Sequence, residues 1–203
     1  MPRKPIIRSN EHYYHITARS NNKEDFYLPL PDLWQVFTGG LGSLQKEFKI
    51  QICAFVLMHN HFHLLIMTPD EDIDRIMYFF MKKTTLEIQK RTGRINKIFG
   101  GRYKGSIIEN HQYLLNVYKY IYRNPVAAGI CQRAEDYEFS TLFSGIHERK
   151  QFFNLESVFE GPQLEWINQS FKEREAQSIQ LGLRKTIFEY KKERISRKEI
   201  CPT

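Results

Sequence analysis

Seven stretches of the chain carry a regular pattern of apolar and polar positions. Residues 12–19, "HYYHITAR", are rich in aromatic and β-branched side chains and run into the polar "SNNKED", which predicts a strand followed by a turn. Residues 31–48 place Leu33, Val36, Phe37, Leu41 and Leu44 near helical spacing, but Gly39, Gly40 and Gly42 fall in the middle and predict an interrupted helix. Residues 50–58 and 61–67 are β-rich runs joined by the polar pair His59–Asn60, the pattern of an antiparallel hairpin. Residues 72–93 put Ile73, Ile76, Met77, Phe80, Met81 and Leu86 on one stripe, with an acidic start and a basic end that suit a helix dipole. Residues 100–109 read as a glycine-led strand, and residues 112–124 as a helix stopped by Pro125. Strand, helix, hairpin, helix, strand, helix in that order predicts an α+β fold. Its expected form is a ferredoxin-like split β-α-β antiparallel sheet with packed helices.

The pattern changes after the last of these elements. A Gly-Pro break at Gly161 precedes charged, mostly helical sequence, so residues 1–145 are expected to form the main domain and residues 146–203 a helical C-terminal extension. A formal net charge of +7 favours an anionic partner, with nucleic acid first among the candidates. The charge is uneven. Residues 82–104 hold eight basic side chains against one acid, Glu87, which predicts a phosphate-tracking surface. Cys53, Cys131 and Cys201 are odd in number and widely spaced, and no window approaches the ~20 apolar residues of a membrane span. A soluble cytoplasmic protein with reduced thiols is expected, with no membrane partner.

The hairpin carries the chemistry. In "LMHNHFHLLI" the strand alternation sends His61 and His63 to one side and Phe62, Leu64 and Ile66 to the other, so two neutral imidazoles can reach one divalent cation. The same two residues could equally be satisfied polar groups at a sheet edge. Counting His59 as well, the string is similar to the alternating histidines of histidine-triad nucleotide hydrolases, although Asn60 breaks that pattern. Counting only His61 and His63 around the bulky Phe62, it resembles the HUH motif of enzymes that cut single-stranded DNA. The helix "QYLLNVYKYIYRNP" turns by ~100° per residue, which puts Leu114, Val117, Tyr118, Ile121 and Tyr122 on the core face. Tyr113, Tyr120 and Asn124 lie at its border, with Tyr120 and Asn124 four apart and pointing the same way. If that edge lies over His61 and His63, Asn124 can serve as a third ligand and Tyr120 as a nucleophile. Otherwise Tyr120 is a residue of the core margin and Asn124 an ordinary helix end before proline.

The hairpin "AFVLMHNHFHLLIM", the strand "GGRYKGSIIEN", the helix "YLLNVYKYIYRNPVAAGI" and the following "RAEDYEFST" resemble, in order and spacing, the single-tyrosine HUH transposases, in particular the REP-associated ones. The resemblance runs from Tyr14 to Ser144, and His59 departs from it where relatives commonly carry proline. It implies Tyr120 as catalytic nucleophile, and His61, His63 and Asn124 as ligands of a divalent metal, Mg²⁺ or Mn²⁺. Two imidazoles sit awkwardly with the oxygen-seeking Mg²⁺, which makes Mn²⁺ chemically plausible as well. It further implies strand cleavage and transfer on single-stranded or hairpin DNA through a 5′-phosphotyrosine. Lys83, Arg102, Lys104 and Arg123 are the expected DNA contacts, and a homodimer is compatible with the family. A histidine-triad phosphohydrolase and a non-catalytic nucleic-acid-binding module are the competing readings.

Overall fold

The computed structural model describes residues 7–143, 153–157 and 164–190, so the boundary expected at 145/146 falls outside the described residues. Strand β1 (Tyr13–Arg19) leads into helix α1 (Leu30–Glu47) and then the hairpin of β2 (Gln51–Leu57) and β3 (His61–Met67). Helix α2 (Ile73–Thr92), strand β4 (Lys104–Ile108) and helix α3 (His111–Ala127) follow, with α4 (Leu164–Asn168) and α5 (Glu173–Gly182) after them. The strands align as β2-β3-β1-β4, and every neighbouring pair is antiparallel. This is the split β-α-β sheet anticipated from the element order. No helix among the described residues is long and apolar enough to cross a membrane.

Both faces of the sheet are covered, and the strand alternation decides what each covers. Tyr14, Ile16, Phe55, Phe62, Leu64 and Ile66 face α1 and α2, where they meet Phe37, Leu41, Phe80 and Ile88 in a core rich in aromatic rings. Val56, Leu65 and Ile108 face the other way, toward Leu114, Val117, Ile121 and Tyr122 of α3 and toward Ile167, Ile179 and Phe188 from the C-terminal segment. That segment also pairs with the sheet edge. The Ile107 N–H donates to the Thr186 carbonyl at 2.9 Å, and the Phe188 N–H donates back to the Ile107 carbonyl at 2.7 Å. Lys119 of α3 is buried with its ammonium 5.1 Å from the Trp166 ring and 4.7 Å from Phe171, which holds α4 and the turn after it against α3.

Three local expectations are corrected. Helix α1 is continuous through its glycines, because Gly40 sits where α1 and α2 meet: a Cβ there would stand 3.0 Å from the Phe80 ring. The glycine serves helix contact and does not break the helix. Helix α3 likewise runs past Pro125 to Ala127. The carbonyl of Ile121, deprived of its N–H partner by the proline, accepts instead from Asn124 Nδ2 at 3.3 Å. On α2 the buried stripe is Ile73, Ile76, Met77, Phe80, Thr84 and Ile88, while Leu86 is 55% exposed, six residues on from Phe80 and so turned away from it.

Candidate active site

The sheet face turned toward α3 becomes polar at one end. There β1 presents His15, Thr17 and Arg19 beside His61 and His63 of β3, with Arg19 paired in register to His61 and Thr17 to His63. His15 lies on the diagonal from His63, close enough for its Nε2 to sit 2.8 Å from His63 Nδ1. Helix α3, started by the Asn110 side chain accepting from the N–H groups of Gln112 and Tyr113, crosses above them. It brings the Tyr120 ring edge-on to His63, with centroids 6.0 Å apart, and to His15 at 6.4 Å. His61 and His63 have ring centroids 5.0 Å apart. His15, Thr17, Arg19, His61, His63, Tyr120 and Asn124 line one cavity of about 610 Å³.

Its electrostatics are one-sided. Arg19, Lys23, Arg102, Lys104 and Arg184 line the cavity, and no acidic residue does so among the described residues. Burial, reinforced by neighbouring imidazoles and Arg19, holds His63 well below the usual histidine range. Burial and Arg19 bring His61 down to about 4. Both rings are therefore neutral near pH 7 and can act as ligands. Burial raises the Tyr120 phenol, and the nearby Arg184 and Arg19 only partly offset it. A cationic setting for the phenolate, which a tyrosine nucleophile needs, is present but outweighed by desolvation in the free protein.

The donor set fits a divalent cation. His63 Nε2 is buried without a hydrogen-bond partner among the described residues, a costly state that a ligand at that atom would relieve. Asn124 Nδ2 donates to the carbonyls of Tyr120, at 2.8 Å, and Ile121, which leaves Oδ1 as the end able to coordinate. No group of three His, Cys, Asp or Glu side chains is arranged for one ion among the described residues, and Asn124 is the amide that lines the cavity with the two histidines.

Of the residues singled out in the sequence, His61, His63, Tyr120, Asn124, Arg102 and Lys104 come together in the cavity. Arg102 is shared, since its guanidinium also pairs with Asp74. Lys83 lies away on α2 over the Phe79 ring. Arg123 points into the C-terminal segment, where it donates to the Asn168 carbonyl at 2.5 Å, to the Ile167 carbonyl and to Ser170 Oγ. His59 stands on the exposed turn, 4.0 Å from Asp25, and does not line the cavity, so the three-histidine reading loses its first imidazole. Sequence reasoning missed His15, Arg19, Lys23, Gln180 and Arg184. For His15 and Arg19 a signal existed: they share the odd-numbered face of a strand with Thr17. For Gln180 and Arg184 none did, because their approach depends on how the C-terminal segment docks.

The sequence family described as "Transposase IS200 like" matches residues 8–124. A protein of Haemophilus influenzae, named for the REP-associated tyrosine transposases, is 22% identical over 151 residues, which covers 69% of this chain and 84% of that protein. A solved REP-associated tyrosine transposase bound to a REP hairpin superposes with a TM-score of 0.60 at 20% identity, covering 79% of this chain and 94% of that one.

Proposed function

Given that the chain belongs to the IS200-like transposase family, we propose that it cuts and rejoins single-stranded DNA at a hairpin-bearing site through a covalent 5′-phosphotyrosine on Tyr120. The observation that carries the reading is the meeting of Tyr120, His61, His63 and Asn124 in one cavity whose charged lining, among the described residues, is cationic. The hairpin substrate is suggested by the structural relative, which is bound to one. Catalysis is assigned to residues 1–145, with the segment 146–203 lending Gln180 and Arg184. The protein acts in the cytoplasm, where DNA is met.

His61 Nε2, His63 Nε2 and Asn124 Oδ1 are the atoms that would hold Mn²⁺ or Mg²⁺. When bound, such a cation supplies Lewis acidity to a non-bridging phosphate oxygen and a template for the scissile group. The Tyr120 oxygen attacks phosphorus as it gives up its proton. The Oη–P bond forms, the P–O3′ bond breaks, and the departing oxygen takes a proton to become a free 3′-hydroxyl. Arg19 and Arg184 favour the phenolate as it develops, while Lys23 and Lys104 neutralise flanking phosphates. One phosphodiester replaces another of similar energy, so a DNA 3′-hydroxyl can reverse the step and join strands without ATP.

The test is a labelled hairpin oligonucleotide incubated with the protein and Mn²⁺, then run on a denaturing gel. A covalent adduct is expected with wild type, Tyr118→Phe and Tyr122→Phe, and none with Tyr120→Phe. An adduct that survives in Tyr120→Phe refutes the assignment.

A further inference from the structure

The turn between β2 and β3 carries Asn60, the residue that breaks the alternating-histidine pattern, and its side chain does not face solvent idly. Its Nδ2 donates to the Lys23 carbonyl at 2.9 Å, and its Oδ1 lies 2.7 Å from His61 Nδ1. A backbone carbonyl can only accept, so the nitrogen end of the amide must face Lys23 and the oxygen end must face His61. That oxygen in turn can only accept, so His61 Nδ1 carries the proton and Nε2 carries the lone pair. The relay is rigidly mounted. The Ser20 N–H donates to the Asn60 carbonyl at 2.8 Å, the Phe26 N–H to the His59 carbonyl at 2.7 Å, and the Met58 N–H to the His61 carbonyl at 2.8 Å. Lys23 itself is held at φ 63°, a left-handed conformation that sets the direction of its carbonyl.

His63 meets a similar constraint from the opposite side. Its Nδ1 faces His15 Nε2 at 2.8 Å, and one of the two must donate. If His15 donated, the His63 proton would sit on Nε2, the buried atom with no partner among the described residues, and that atom could bind nothing cationic. With His63 Nδ1–H donating to His15, the Nε2 lone pair is left for a metal ion.

We propose that Asn60 and His15 are positioning residues that hold His61 and His63 in the same Nδ1–H tautomer, so that both imidazoles offer Nε2 to one divalent cation. The inference rests on the metal-holding role given to the two histidines above. It adds a feature of charge. Metal-binding imidazoles are commonly oriented by carboxylates, whereas both partners here are neutral. No acidic side chain lines the cavity among the described residues, so a DNA phosphate would be the counter-charge of a bound cation.

Two measurements test this, and neither needs catalysis. Long-range ¹H–¹⁵N spectra of the metal-free wild-type protein at neutral pH should show His61 and His63 both protonated at Nδ1; an Nε2–H signal for either one overturns the assignment for that residue whether or not any variant folds. Mn²⁺ titration followed by EPR should then show binding weakened about 10- to 100-fold in His15→Phe and in Asn60→Ala. His15→Gln, whose side-chain oxygen can still accept from Nδ1–H, should recover most of it. Wild-type affinity in His15→Phe and Asn60→Ala, with circular dichroism unchanged, overturns the proposal. Tyr120→Phe should bind Mn²⁺ as wild type does. A protein with the expected tautomers and Mn²⁺ affinities that forms no DNA adduct would sink the nuclease reading and leave the positioning intact, while an adduct with unperturbed variants would do the reverse.

Discussion

Replacing Asn124 and Pro125 by alanine, singly and together, separates what the Asn124 amide does for its helix from what it does for a ligand. Proline removes the N–H that would bond to the Ile121 carbonyl one turn back, and Asn124 Nδ2 takes over that carbonyl at 3.3 Å and the Tyr120 carbonyl at 2.8 Å. The Tyr120 carbonyl keeps the helical N–H of residue 124 as a second partner; the Ile121 carbonyl has no such reserve. Ile121 is fully buried, so Asn124→Ala leaves a carbonyl without a donor, at about 1–3 kcal/mol. Pro125→Ala returns the missing N–H and removes an interior helix proline worth about 3 kcal/mol, less the packing lost from a buried ring. In that background Asn124→Ala should cost well under about 1 kcal/mol, since alanine is also the better helix former. Urea unfolding of the four proteins should therefore give a coupling of about 1–2 kcal/mol, well beyond the ~0.3–0.5 kcal/mol within which independent changes add. Strict additivity would refute the claim that Asn124 stands in for the proline's missing donor. Mn²⁺ binding should fall in both backgrounds, because restoring the N–H does not restore Oδ1.

Phe188→Ala tests whether the C-terminal segment docks as a local unit. Phe188 is 1% exposed with its ring 5.2 Å from Tyr113, so the truncation should cost about 3–5 kcal/mol if fully felt. Hydrogen exchange should show protection lost at Ile107 and Phe188 but kept across β1 and β3; loss over the whole sheet would contradict local docking. Gly40→Val should destabilise by about 1–3 kcal/mol through overpacking against Phe80. Gly39→Ala, whose Cβ meets nothing within 4 Å, should stabilise by up to about 1 kcal/mol, and thermal shifts of the same sign in both would count against the close α1–α2 approach. At Asp74 burial raises the carboxyl, but Tyr103, Arg8 and Arg102 outweigh it and hold the group below the usual carboxylate range. A depressed folded value means stability present above the unfolded pKa of about 3.9 and lost as pH falls through the folded value. Asp74→Asn should cost no more than about 1 kcal/mol at neutral pH, given its partial exposure, and nothing in strong acid. A stability gap that persists in strong acid would exclude this account.

The pattern of apolar positions was enough to place every strand of the sheet, because short runs of β-branched, aromatic and aliphatic residues bounded by polar turns leave little freedom. It also put His61 opposite in sense to Phe62, and Tyr120 on the same helix edge as Asn124. What the pattern misjudged were residues whose usual meaning is local and whose use here is tertiary. Gly40 and Pro125 ordinarily break helices; one is instead the contact point between α1 and α2, and the other is tolerated because a neighbouring amide covers its carbonyl. Arg123 reads as a DNA contact only until the carbonyls of Ile167 and Asn168 are found in front of it. Arg184 was illegible for a related reason: nothing in its own neighbourhood says that residues 186–188 join the edge of β4 and carry it to the cavity.

His15 is the residue from which most could have been learned, and the reason lies in cost. A strand between two apolar layers has little use for an imidazole, and burying one at 2% exposure beside a second at 5% works against both folding and ordinary histidine chemistry. His15 is itself driven down to about 3, first by burial and then by His61, so it is neutral near pH 7. A neutral imidazole in that position can do what a leucine cannot, which is accept a hydrogen bond from His63 Nδ1–H. That acceptance leaves the lone pair on the unpartnered His63 Nε2 at the far side of the same ring. Two breaches of ordinary burial, the orphaned nitrogen and the buried partner, thus share one explanation. Local inconsistency with the rules of a stable core is where a site announces itself, and here it lies on the first strand, outside the motif that first drew attention to the hairpin.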